Sequence, residues 1–324
     1  MTVEWRFAIS VGLIVLSTAA GWLARRRGWV AETHARPLMT AVSVLGYPVV
    51  GFMAIWRTPL PLSAIWLPTL GAAQTTLMAL LALAVARRFL ADREEQGLVG
   101  FSAGIGNHGV TMAGFVIFLL FGERGLGASS VYAMYTFFAF VLLSYTIAQA
   151  HADGAPRRGI GALMLGNLLH WRALGLYACL AAIGLSVGGI PAPDIIGRWR
   201  LLDISVHAVI VFAYFSIGLQ LHFPRMLGLG RIVAITLAVR HGAGPAIGLG
   251  LVGLTLLTPW PLEGLARNVF LIQSSVSMGV MGVAVANMFR VKPREASALF
   301  VVSSAVYLLV GIPLALLLFR AAPA

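Results

Sequence analysis

The chain has 324 residues, of which 59% are hydrophobic and only 10% charged, whereas soluble domains carry about 25% charged residues. That balance excludes an ordinary soluble enzyme and describes an all-α membrane protein. Cys179 is the single cysteine, which excludes an intrachain disulfide and a cysteine-rich metal site, and the formal charge of +12 reflects cations in loops rather than a nucleic-acid partner.

A spanning helix needs about 20 mainly apolar residues, and charged or turn-rich breaks divide the chain into ten such segments. The first, 6–24, ends in Arg25-Arg26-Arg27 and follows Glu4 rather than a basic leader, so it reads as a retained helix and not a cleaved signal. Segments 37–56, which contains Pro48, and 64–86 follow. The fourth, 97–121, is interrupted by the polar, glycine-rich run Gly104-Ile-Gly-Asn-His-Gly109. Next comes the aliphatic segment 127–149, and 151–171 reads as a linker on the cytoplasmic side. Beyond it lie 172–189, 201–221 with Asp203 near its start, 232–255 carrying Arg240 and His241, 266–289 interrupted at Gln273-Ser-Ser-Val-Ser-Met-Gly279, and 295–318.

With an outside N-terminus, the loops on one side carry about twice as many Lys and Arg as those on the other. The positive-inside rule then puts both termini outside the cytoplasm. Segments 4 and 5 lie on segments 9 and 10 with one constant shift and no gap, so that Gly114 meets Gly282 and Ala128-Ser129 meets Ala296-Ser297. Five helices per half is odd, so the halves 1–150 and 172–324 form inverted repeats, as in many secondary transporters.

Two interrupted helices in matching places point to a binding site at the membrane midplane. Backbone that leaves the helix in lipid must be covered by protein or face a water-filled cavity. Half-helix N-termini favour anions, so the expected ligand is a small organic anion. In segment 4 the candidate contacts are Asn107, His108, Gly114 and Thr111, the last placed to cap the second half-helix; in segment 9 they are Gln273, Ser275 and Ser277. Serines and glycines also serve close helix packing, so the Asn107-His108 pair carries more weight than any single serine. His108 is open between a proton carrier and a neutral wall residue.

Every acidic residue falls in a loop or at a helix end, which argues against paired-carboxylate cation exchange and against Mg²⁺-dependent transferase chemistry. His34, His151, His170 and His222 fall in loops or at the interface, and none of them has metal-ligand spacing with another His, Asp or Glu. Asp203, one turn before His207, is the nearest thing to a proton relay and reads first as an end-of-helix residue. Arg240 is the one clear intramembrane cation; it either attracts a carboxylate or serves a structural role, by snorkelling to lipid phosphate or binding helix-end carbonyls.

Several stretches carry a resemblance to a known family. Ala19-Ala-Gly-Trp-Leu-Ala-Arg-Arg-Arg-Gly-Trp-Val30, Val44-Leu-Gly-Tyr-Pro48, Gly106-Asn-His-Gly109 with Leu119-Leu-Phe-Gly-Glu-Arg-Gly-Leu126, Tyr214-Phe-Ser-Ile-Gly-Leu219, Arg240 and Glu295-Ala-Ser297 together resemble the auxin efflux carriers, the PIN-like branch of the bile-acid/arsenite/riboflavin transporter superfamily. The resemblance covers the whole length and implies ten helices with outside termini, two inverted five-helix repeats, and broken helices 4 and 9 crossing at the substrate. It also implies export of an organic anion, and the short connection between helices 5 and 6 matches the short bacterial type. Pro48 falls in the family's helix 2 proline region. Where the family has a proline at each crossing, the positions here are Gly114 and Ser277.

The resulting expectation is a bacterial inner-membrane carrier, not an enzyme, with no resident cofactor. Its coupling is open between none, H⁺ through His108 and Na⁺ through neutral oxygens. Its partners are the substrate anion and membrane lipid, and a homodimer is left open. The other readings are a Na⁺-coupled symporter of the same superfamily and a non-transporting sensor or enzyme on the carrier scaffold.

Overall fold

In hydrocarbon every backbone N–H and C=O must find a partner within the protein, and for long apolar runs the helix is the structure that supplies them all. The computed structural model describes residues 3–57, 65–108, 112–154, 159–222 and 227–319. It is all-helical, with 83% of residues in helix and no strand among those described. Among the described residues six helices are long and apolar enough to cross a membrane, and a bent pair gives a seventh crossing if counted as one.

In chain order the helices are α1 (Val3–Arg26), α2 (Glu32–Trp56), α3 (Trp66–Phe89), α4 (Arg93–Gly104), α5 (Ala113–Gly122), α6 (Arg124–His151), α7 (Ile160–Leu168), α8 (Trp171–Val187), α9 (Leu201–Gln220), α10 (Gly230–Thr255), α11 (Gly264–Ser274), α12 (Val280–Phe289) and α13 (Pro293–Phe319). The stretch read as a linker, 151–171, contains helix α7, which meets α8 at a bend of 72°. Gly122 takes φ 65 and ψ −153, a conformation open to glycine, and there separates α5 from α6.

Small residues set the helix spacing. α1 lies along α9 with their backbones in contact: a β-carbon on Gly21 would come 2.1 Å from the Phe215 carbonyl oxygen, and one on Gly218 would come 2.1 Å from that of Thr18. Among the described residues four helices widen into π turns, at Val42–Gly46 in α2, Ala139–Ser144 in α6, Ala238–Ala243 in α10 and Tyr307–Gly311 in α13.

Polar contacts hold together each end of the bundle. At one, Lys292 pairs with Asp92, Arg294 with Glu32, and Arg25 donates to the carbonyls of Leu219 (3.1 Å) and Leu221 (2.7 Å). At the other, Trp56 Nε1 donates to the Ile190 carbonyl across 2.8 Å.

Candidate functional site at the helix crossing

Helix α4 stops at Gly104 and α11 at Ser274, and the chain runs on unwound through Ile105–His108 and Ser275–Gly279. The two unwound stretches lie antiparallel, Gly106 opposite Met278. Asn107 N–H donates to the Ser277 carbonyl at 2.8 Å, and Gly279 N–H to the Ile105 carbonyl at 2.9 Å. Met278 N–H is taken by Ser303 Oγ of α13 at 3.0 Å. Each broken helix thus supplies the hydrogen bonds that the other lost, which is how non-helical backbone survives at depth. The approach is close enough that a β-carbon on Gly279 would sit 2.6 Å from the Gly106 oxygen.

Arg240, in the π turn of α10, is 1% exposed. Its Nε donates to the Val276 carbonyl at 2.7 Å, and Nη1 to the Ala103 and Gly104 carbonyls, each at 3.1 Å. It does not snorkel; its fork grips both broken helices. Among the described residues no carboxylate pairs with it, so a full positive charge remains at the crossing.

His108 Nδ1 donates to Gln273 Oε1 at 2.9 Å, and Gln273 Nε2 donates to Ser129 Oγ at 2.7 Å. The imidazole rests edge-on against Tyr132, ring centres 5.1 Å apart. Behind it, Tyr132 donates to Gln74 Oε1 across 3.4 Å, and Gln74 Nε2 reaches the Gly244 carbonyl at 3.1 Å.

A cavity of about 150 Å³ opens beside these groups. Asn107, His108 and Gly106 form one wall, and Gly279, Val280 and Met281 at the start of α12 form another. The first N–H groups of a helix have no intrahelical acceptor, so the α12 N-terminus turns donors and a positive dipole end toward this space. Apolar walls come from Tyr47, Met134 and Phe137. The lining parts of α2 and α6 are the halves farther from the Asp92–Lys292 end, so the cavity lies beyond the crossing as seen from that end.

The structure brings Asn107 and His108 into the cavity wall, Ser277 into the crossing through its carbonyl, and Gln273 behind His108. Other expected residues stand elsewhere. Gly114 is not the crossing residue but sits inside α5, because the helix has already restarted at Ala113. Ser275 Oγ folds back onto the Ile272 carbonyl at 2.9 Å, as serines at a helix end do. Pro48 is buried facing Gly175 of α8, while its neighbour Tyr47 lines the cavity. Asp203 is partly exposed at the start of α9; its carboxylate pairs with Arg200 at 2.7 Å, and His207 Nδ1 donates to its backbone carbonyl at 2.6 Å rather than to the carboxylate. Thr111 lies outside the described residues, and Met112 takes the N-cap position of α5.

Sequence reasoning missed Tyr47, Phe137 and Gln74. The aromatic residues look like any apolar helix face; Gln74 carried a signal, as the one side-chain amide in the apolar run 66–86. Among the described residues no group of His, Cys, Asp and Glu could hold a metal ion. Comparison of the chain with protein-family models and with curated proteins yields no match.

Proposed function

We propose that this chain is a secondary transporter that moves a small organic anion by alternating access, with its site at the crossing. The observation that carries this reading is the positive field on the cavity: Arg240 is buried behind Gly106 with no carboxylate paired to it among the described residues, and the α12 N-terminus lines the same space. A carboxylate there meets the Asn107 amide and the N–H groups of Val280 and Met281, while its apolar part packs against Tyr47 and Phe137. A space of about 150 Å³ admits a molecule about the size of benzene, which selects small carboxylates.

The frame we propose is ten spans in two inverted five-helix repeats, 1–150 and 172–324, related to the short bacterial auxin efflux carriers. The π turns support it. The shift that lays Gly114 on Gly282 also lays Ala139 on Tyr307, where the π turns of α6 and α13 begin. In this frame the cation-rich end faces the cytoplasm of a bacterial inner membrane and both termini face out. The ion pairs Asp92–Lys292 and Glu32–Arg294 close the inner side while the cavity belongs to the outer one. The cycle breaks those pairs as one bundle rocks against the other, and export is the direction that the family resemblance implies.

The test is thermal melting of the purified chain with small carboxylates and with neutral and cationic compounds, since a ligand that prefers the folded state raises apparent stability. A small monocarboxylate is expected to stabilise the wild type, and Asn107→Ala to weaken that binding by about tenfold, or about 1.4 kcal/mol. If only neutral or cationic compounds stabilised the protein, or if Asn107→Ala left binding and vesicle uptake untouched, the assignment would fail.

A further inference from the structure

The carbonyls that hold Arg240 form an unusual set. Ala103 and Gly104 are the last two residues of α4, whose carbonyls have no intrahelical donor and carry the negative end of the helix dipole. Val276 belongs to the unwound stretch after α11. In transporters with broken helices, unwound carbonyls and half-helix C-termini are the groups that coordinate a coupling cation. Here they receive Nε and Nη1 of one guanidinium, at 2.7 to 3.1 Å, and Met78 Sδ lies 3.7 Å from Nη1 on a further side.

We propose that Arg240 is the resident cation of the crossing, taking the place of a coupling Na⁺, so that the transport cycle is Na⁺-independent. The inference rests on the transport reading above, and it names the group that replaces the ion. Three features of the chemistry favour it. Arginine stays protonated in proteins, so the charge is permanent rather than exchanged. Its planar fork aims separate donors at the two broken helices at once, which a single ammonium does not do. A second cation at the same carbonyls would stand beside a like charge in a site where, among the described residues, no carboxylate offsets either one. Gly106 completes the arrangement, because any side chain there would occupy the place of Nη2.

The experiment is thermal melting of the full-length purified chain in NaCl, KCl and choline chloride at equal ionic strength, for the wild type, Arg240→Ala and Arg240→Lys. For the wild type the three salts are expected to give the same melting temperature. Arg240→Ala is expected to melt lower and to recover part of the loss when guanidinium is added at concentrations too low to alter the wild type. Arg240→Lys keeps the charge but loses the fork, so it is expected to melt between the other two. A Na⁺-specific rise in the wild type overturns the proposal even if neither variant folds. So does an Arg240→Ala protein that ignores guanidinium. No substrate enters these measurements. Failure of carboxylates to bind would therefore sink the transport reading without moving them, and a Na⁺ response would sink this inference without touching the carboxylate result.

Discussion

The Arg240 guanidinium lies so close to Gly106 that a β-carbon at 106 would stand 1.9 Å from Nη2, and 2.6 Å from the His108 ring on its other flank. The chain at this point must therefore be glycine, for space rather than for conformation. Gly106→Ala forces either the guanidinium off the Ala103 and Gly104 carbonyls or the crossing strands apart. Overpacking of this kind costs about 1–3 kcal/mol, and the variant is expected to melt well below the wild type and to lose its ligand response. Gly250→Ala is the matched control, since nothing lies within 4 Å of a β-carbon there in the C-terminal part of α10. Relief of glycine's helix penalty should raise its stability by about 0.5–1 kcal/mol. Equal melting temperatures for the two variants would contradict the packing argument.

Gln273 offers a way to separate structure from charge at the site. Its side chain joins His108 Nδ1 to Ser129 Oγ, and the residue is fully buried. Gln273→Leu leaves both partners without a hydrogen bond, at about 1–3 kcal/mol for a buried polar group. Gln273→Glu keeps the shape and an acceptor for His108, but it places a carboxylate beside the cavity. The Leu variant is expected to lose stability. The Glu variant is expected to lose carboxylate binding by more than its melting temperature falls. Isothermal titration beside melting curves distinguishes the two, and a Glu variant that bound carboxylates as well as wild type would count against an anion site here.

What was legible in the sequence follows from the physics of lipid. An apolar run interrupted by Asn107 and His108, or by Gln273 and three serines, cannot conceal its polar groups, so both breaks were visible. Charges mark the ends of apolar helices, and the segment read as 201–221 is the helix Leu201–Gln220. The partners across the crossing were not legible. They join residues far apart in the chain, and laying Gly114 on Gly282 locates a repeat without showing which residue bends. Faces were harder still: a helix turns by 100° per residue, so Pro48 points to α8 while Tyr47 beside it reaches the cavity. The turn after α12 also held a surprise. Arg290 and Lys292 both adopt left-handed backbone, at φ 60 and 44, where the sequence offers no glycine.

A second buried amide network lies away from the cavity. Gln220 and Asn287 exchange two hydrogen bonds, at 2.5 and 3.0 Å, and Ser297 Oγ donates to Gln220 Oε1 at 2.8 Å. The three residues tie the end of α9 to α12 and α13. Gln220→Leu or Asn287→Leu alone strands the other amide, whereas the double variant removes both stranded groups. The single losses should therefore sum to more than the double loss, by about 0.5–3 kcal/mol. A melting-based double-mutant cycle measures that difference. An additive result would mean that the pair adds nothing to the docking of α12 on α9.

Asp92 performs two tasks at the cation-rich end, and pH separates them. Its Oδ1 accepts the Glu94 N–H at 2.8 Å and caps α4, while Oδ2 faces Lys292. The hydrogen bond from Lys292 holds the Asp92 carboxyl below the usual carboxylate range, and the same contact raises the Lys292 ammonium above its ordinary value. A carboxyl depressed in the folded state adds stability that is present above its unfolded pKa of about 3.9. That stability is lost as the pH falls through the lower, folded value. Both groups are partly exposed, so the pair is worth about 1 kcal/mol or less. Asp92→Asn keeps the cap and loses the pair, so its melting temperature at pH 7 should drop slightly and its decline in acid should be shallower than that of the wild type. Asp92→Ala loses the cap as well, for about 1 kcal/mol more. Raised salt should narrow the gap between wild type and Asp92→Asn, because it screens the ion pair, but leave the gap between Asn and Ala unchanged. Melting curves from pH 7 into the acid range at two salt concentrations check all three statements, and acid profiles for wild type and Asp92→Asn that ran parallel would show that Lys292 does not stabilise the folded carboxylate.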